Sequence, residues 1–136
     1  MFDERALSRA GARGLMQIIP STGRRLFRQL GKSGFDVNLL YDPEVSIELG
    51  CFYLAQMRRD GAGLVSALCA YNAGPHRLKR WRSRFKNLSC FEAIEEIPFK
   101  ETRTYVQRVW RNWEIYRQLY GGAGSSVFEN MKDRCL

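Results

Sequence analysis

The chain has 136 residues, 45% of them apolar, with eight Phe, six Tyr and three Trp, which is enough for one compact domain and excludes a wholly disordered chain. Lys and Arg number 22 against 14 Asp and Glu, a formal net charge of +8. Such a surplus favours acidic partners such as nucleic acid, anionic lipid or cell-wall polymer, and says nothing of fold. No apolar run approaches the roughly 18 residues that a membrane span needs, and the amino end MFDERALSRAGARG has no apolar export-signal core.

Proline and glycine punctuate the chain. RAGARGLMQIIP, residues 9–20, reads as a shaped loop, after which Ser21 or Thr22 caps a short helix to about Leu30. Residues 31–41 form a polar connector. Asp42-Pro43 is a strong helix start, because Asp accepts orphan amide bonds and Pro suits the first turn. The helix after it runs to about Arg59, with Val45, Leu49 and Phe52 on one stripe and Ile47, Cys51 and Leu54 on another, the pattern of a central buried helix. After Asp60-Gly61 a second apolar helix covers about 63–73 and stops at Gly74-Pro75. The basic run HRLKRWRSRFK reads as one helix with Leu78, Trp81 and Phe85 inward. Ser89 and Glu92 form a capping-box pattern for a short helix to Ile97. The last helix runs from about Lys100 to Tyr120, with Val106, Val109, Trp110, Trp113 and Tyr116 facing the core. GGAGSS follows at 121–126, and residues 121–136 read as a flexible tail. No repeat and no strand pattern is visible, so the class is mainly α.

The four cysteines, Cys51, Cys69, Cys90 and Cys135, are irregularly spaced without a CxxC pair, and His76 is the single histidine. This spacing argues against a zinc site. Cys51 and Cys69 sit in apolar stretches and read as buried free thiols.

Three clusters hold more chemistry than a plain helical core requires. The first is Ser8 with Gly11-Ala12-Arg13-Gly14-Leu15-Met16-Gln17, where paired glycines allow close backbone approach and Gln17 offers a donor and an acceptor. Taken alone, a tight turn with an exposed glutamine explains it more simply. The second is Tyr71-Asn72-Ala73-Gly74-Pro75, either an ordinary helix end or a cleft lip with hydroxyl and amide facing a ligand. The third is the segment 97–106, IPFKETRTYV, in which Glu101 either complements a helix dipole or forms the wall of a site.

In order and spacing, GARGLMQIIP, DPEVSIELGCFYL, AYNAGP and IPFKETRTYV with WEIYRQLYG resemble the soluble lytic transglycosylases of the goose-lysozyme-like group, over about residues 2–120. The resemblance implies a lysozyme-like α fold over 1–120, lacking its first helix, with a cleft for peptidoglycan strands in the periplasm or cell envelope. It implies non-hydrolytic cleavage between N-acetylmuramic acid and N-acetylglucosamine. The muramyl C6 hydroxyl attacks its own anomeric carbon and leaves a 1,6-anhydro sugar, with one glutamate as acid and then base. No second catalytic carboxylate is then required, and no metal or organic cofactor is implied. By the same resemblance Ser8, Gln17 and Asn72 contact sugar, Tyr71 orients the acid, and Glu101 closes the site from the last helix. The expected protein is a monomer that binds peptidoglycan and not nucleic acid.

Three departures accompany the match. Ile19 stands where some members carry methionine, and Ser46 where the helix after Asp-Pro often carries asparagine. More seriously, the family's acid lies in a Glu-Ser-x-Phe step. Phe2 and Ser8 fix the register, so that Met1 takes the x position and the Glu-Ser pair falls directly before it. Glu4 is the nearest carboxylate but occupies a loop position. A cleft without its acid loses about 10²–10⁴-fold in rate, so the chain is expected to bind glycan and hardly cut it. The other readings are an acid-less peptidoglycan-binding module and, from Lys79-Arg80-Trp81-Arg82 and Arg84-Phe85-Lys86, a basic nucleic-acid module. A solvated basic helix face accounts for that last run more simply.

Overall fold

Helices and shaped loops make up the residues that the computed structural model describes, 2–59 and 63–120. Among them there are six α-helices, one 3-10 helix, and two isolated bridges pairing Leu7 with Arg13 and Arg13 with Ile18. The mainly α expectation holds. The expected Asp60-Gly61 break and the 121–136 tail lie outside the described residues. The chain divides into two compact units, Met1–Gln56 and Met57–Leu136.

In the first unit, α1 (Pro20–Gln29) starts on Pro20 at its first turn, and its N-cap Ile19 makes no side-chain bond. The expected caps Ser21 and Thr22 therefore sit inside the helix. Proline's fixed φ preorganises that turn and its missing N–H costs nothing there. The connector is not featureless, since Asp36 accepts from the Asn38 amide at 2.7 Å and caps a 3-10 helix over Val37–Tyr41. Asp42 does the same for α2 (Pro43–Arg58), accepting from the Val45 amide at 3.0 Å. Ile18, Leu26, Phe27, Leu40 and Leu49 form the core, with Phe35, Val45 and Phe52 packed against it. One stripe of α2 is thus buried as expected. On the other, Ile47 and Cys51 are exposed, so α2 is a one-sided helix.

The helix that is buried nearly all round is α3 (Leu64–Ala73) in the second unit, where Val65 through Ala70 are all buried. It packs against α4 (Pro75–Trp81), α5 (Cys90–Glu95) and α6 (Lys100–Tyr120). Gly74 ends α3 at φ 92°, a conformation that glycine adopts freely, and Pro75 opens α4. The basic run does not continue as one helix. It leaves α4 after Trp81, and Phe85 reaches the core from a turn that Asn87 closes at φ 67°. Ser89 and Glu92 make the full capping box of α5. Val106 of α6 is buried, but Trp113 and Tyr116 are exposed, against expectation. The reason is length: 21 residues span about 31 Å and the ten of α3 about 15 Å, so α3 covers at most half of α6.

Candidate functional site

The loop before α1 is built on reciprocal backbone bonds. Arg13 and Ile18 exchange N–H···O bonds at 3.1 Å each, Gly14 N–H donates to Ala6 O at 3.0 Å, and Ser8 N–H donates to Ala12 O at 3.0 Å. The Ser8 hydroxyl accepts from the Ala12 amide at 3.0 Å, so it is engaged in closing the turn. Gln17 is exposed and holds a left-handed φ of 50°, unusual for a residue with a side chain. Its Nε2 donates to Gly14 O at 2.9 Å and to Ala6 O at 3.3 Å. Two carbonyl acceptors fix the orientation of the amide, and among the described residues no hydrogen bond uses Oε1. Ser8 and Gln17 therefore share one rigid loop.

Three further residues, Ser46, Gly14 and Gly50, hold that loop in place. Buried Ser46 accepts from the Met16 amide at 3.1 Å, linking the residue before Gln17 to the first turn of α2. A Cβ on Gly14 would lie 1.8 Å from the Leu40 carbonyl oxygen, so only glycine fits beneath the 3-10 helix. Gly50 receives the Met16 side chain, whose Cβ and Cγ would be 2.7 and 2.6 Å from any added methyl. Glycines in a turn signal could be read from sequence, whereas the Ser46 contact crosses 30 positions and leaves no local mark. Nearby, Glu4, Arg5, Asn38, Tyr41, Asp42 and Pro43 line an open groove of about 630 Å³. Glu4 is exposed in a turn, as the register implied.

In the second unit, Tyr71 is half-buried and Asn72 exposed on the last turn of α3, and Glu101 is exposed on the first turn of α6. These two helices pack together. Arg77 ties their neighbourhoods: its Nη1 donates to Ala73 O at 3.3 Å, and its guanidinium lies 5.0 Å from the Phe99 ring centroid. Trp81 meets the same ring edge-on at 5.1 Å. Ala73 follows Asn72 and Phe99 precedes Glu101 by two, so α4 joins the two polar segments through Arg77 and Trp81. Tyr105 stands one turn beyond Glu101, and burial pushes its phenol above the ordinary value, so it stays a neutral donor. Together the polar groups of each unit are suited to hydrogen-bonding neutral hydroxyl and acetamido groups.

Comparison with known proteins agrees with these features. Residues 1–94 match the family model described as the Transglycosylase SLT domain, and residues 96–124 match the Soluble lytic transglycosylase helical domain. The chain is 33% identical over 123 residues to the soluble lytic murein transglycosylase of Escherichia coli K12, covering 88% of this chain and 19% of the relative. It is 35% identical over 129 residues to membrane-bound lytic murein transglycosylase C of Sodalis glossinidius, covering 88% and 36%. The chain thus spans about a fifth to a third of these relatives. Among solved structures, the 70 kDa soluble lytic transglycosylase of Escherichia coli superposes with a TM-score of 0.80 at 32% identity, covering 88% of this chain and 20% of the other. An inactive glutamate-to-glutamine mutant of lytic transglycosylase Slt from Pseudomonas aeruginosa gives 0.77 at 39%, covering 87% and 19%. No helix among the described residues is long and apolar enough to cross a membrane. The four motifs in register, the lysozyme-like helical fold and the matched profile agree, and the chain belongs to the soluble lytic transglycosylase family.

Proposed function

We propose that the chain binds the glycan strands of peptidoglycan in the cell envelope and contributes the supporting groups of a lytic transglycosylase. The observation that carries this reading is the Gln17 amide, locked by two carbonyls in a left-handed turn, with Oε1 left as an acceptor that no described residue uses. Strained backbone at a rigidly held polar side chain is the usual mark of a binding position. Ser8 and Gln17 on the loop before α1 are sugar-contacting groups, as is Asn72 at the end of α3.

In the reaction, the muramyl C6 oxygen forms a bond to its own C1 while the bond from C1 to the leaving oxygen breaks. A general acid protonates that oxygen and then, as base, takes the C6 hydroxyl proton; no water is consumed. Tyr71 orients the acid and Glu101 closes the site. No carboxylate among these 136 residues stands where the family register puts the acid. The chain by itself therefore binds glycan and releases little 1,6-anhydro product.

Calorimetric titration with peptide-free peptidoglycan glycan fragments tests the binding. Gln17→Ala and Asn72→Ala should each weaken it about two- to tenfold, the range of one net hydrogen bond. Affinity should also survive added salt, because neutral hydrogen bonds are not screened. Unchanged affinity in both variants would remove the assignment.

A further inference from the structure

Charge is strongly segregated in the second unit. From Gly61 to Phe91 the sequence holds no acidic residue, yet it carries Arg77, Lys79, Arg80, Arg82, Arg84 and Lys86, six of the formal surplus of eight. All six are exposed. Among the described residues none of them forms an ion pair with a carboxylate. Arg77 is committed to Ala73 O and the Phe99 ring, which leaves five cations facing solvent. The segment that bears them is not loose, because the interleaved Trp81 and Phe85 are buried and pin it to the unit. Holding five like charges together without a counter-charge is unfavourable, so the patch gains from an anionic partner.

We propose that α4 and the turn after it form a docking surface for the carboxylates of peptidoglycan stem peptides, a reading that rests on the glycan binding proposed above. Two observations select this partner. The patch lies on the element that follows Asn72: α3 ends at Ala73, Gly74 alone separates it from α4, and the cations run from Arg77 onward. A glycan strand held at Asn72 therefore presents its pendant peptides, with their free carboxylates, to the cations. In addition, Trp81 and Phe85 are turned inward, so the run offers no aromatic platform for stacking nucleobases. Three of the five free cations are arginines, whose planar guanidinium suits bidentate carboxylate binding.

The test is retention of the 136-residue chain on intact sacculi and on sacculi whose stem peptides an amidase has removed. It compares the wild type, R80E/R82E/R84E and R80Q/R82Q/R84Q. Intact sacculi should retain the wild type about tenfold better than stripped ones, as a few exposed ion pairs provide, and added salt should abolish the difference. The charge-reversed variant should bind both materials as the wild type binds stripped glycan, with the glutamine variant between. Unaltered thermal unfolding of the variants confirms that folding is not the cause; a glutamine variant that behaves like wild type on intact sacculi overturns the proposal. Equal wild-type retention on both materials overturns the patch alone and leaves the glycan reading standing, whereas no retention on either overturns both. Tighter binding of duplex DNA than of intact sacculi at matched salt would also overturn it, in favour of a nucleic-acid surface.

Discussion

The Met16 amide donates to the buried Ser46 hydroxyl at 3.1 Å, which fastens the loop carrying Gln17 to the first turn of α2. Ser46→Ala should remove the acceptor and leave a partly buried N–H with one fewer partner, at a cost of about 1–3 kcal/mol. Denaturant unfolding would read the loss directly. A variant as stable as wild type would mean that the loop is held by its own backbone bonds alone.

Gly14 offers a sharper case, since its φ of 71° and the Leu40 carbonyl oxygen both exclude a side chain. Gly14→Ala should destabilise by more than the roughly 1–3 kcal/mol of backbone strain, because the 3-10 helix must also move. It should weaken glycan binding together with stability. Gly11 makes a useful control: it too has positive φ, but a Cβ there would meet open space. Gly11→Ala should therefore cost strain alone, and equal losses at the two positions would argue against a steric role for Leu40.

These contacts mark where the sequence was informative and where it was not. Asp42-Pro43, Gly74-Pro75 and Ser89 with Glu92 were legible because cap chemistry acts within four residues, and the structure has all three. The same local logic located Gln17, Tyr71, Asn72 and Glu101 only as polar groups at turns and helix ends; the family resemblance gave them roles. The contacts of Ser46 and Arg77 escaped because their partners, Met16 and Phe99, are distant in sequence. Periodicity misjudged Ile47, Cys51, Trp113 and Tyr116, since an apolar stripe does not reveal how much of its length a neighbour covers.

The capping box predicts a pH effect. Hydrogen bonds from the Ser89 side chain and backbone hold the Glu92 carboxyl below its ordinary value. A depressed carboxylate stabilises the fold above its unfolded pKa, and that contribution fades as pH falls through the folded one. Wild type should therefore lose its margin over Glu92→Gln as pH drops from neutral through about 4 and below. Parallel unfolding curves for the two proteins across that range would show that the box does not couple to protonation.

Thiol labelling should separate two cysteines. Burial pushes the Cys69 thiol up to about 12, which leaves almost no thiolate near neutral pH, while Cys51 is an exposed free thiol. Peptide mapping after brief alkylation should find Cys51 modified in the folded protein and Cys69 only in denaturant. Rapid labelling of Cys69 under native conditions would contradict the packing of α3.

Product analysis on purified sacculi tests the functional account most directly, comparing the 136-residue chain with a form extended by Glu-Ser immediately before Met1 and the helix that carries it. The extended form should release 1,6-anhydromuropeptides, its Glu→Gln variant should release none, and the chain alone should bind sacculi while releasing little. Full anhydromuropeptide release by the 136 residues themselves, or products with reducing muramic ends from the extended form, would contradict the account.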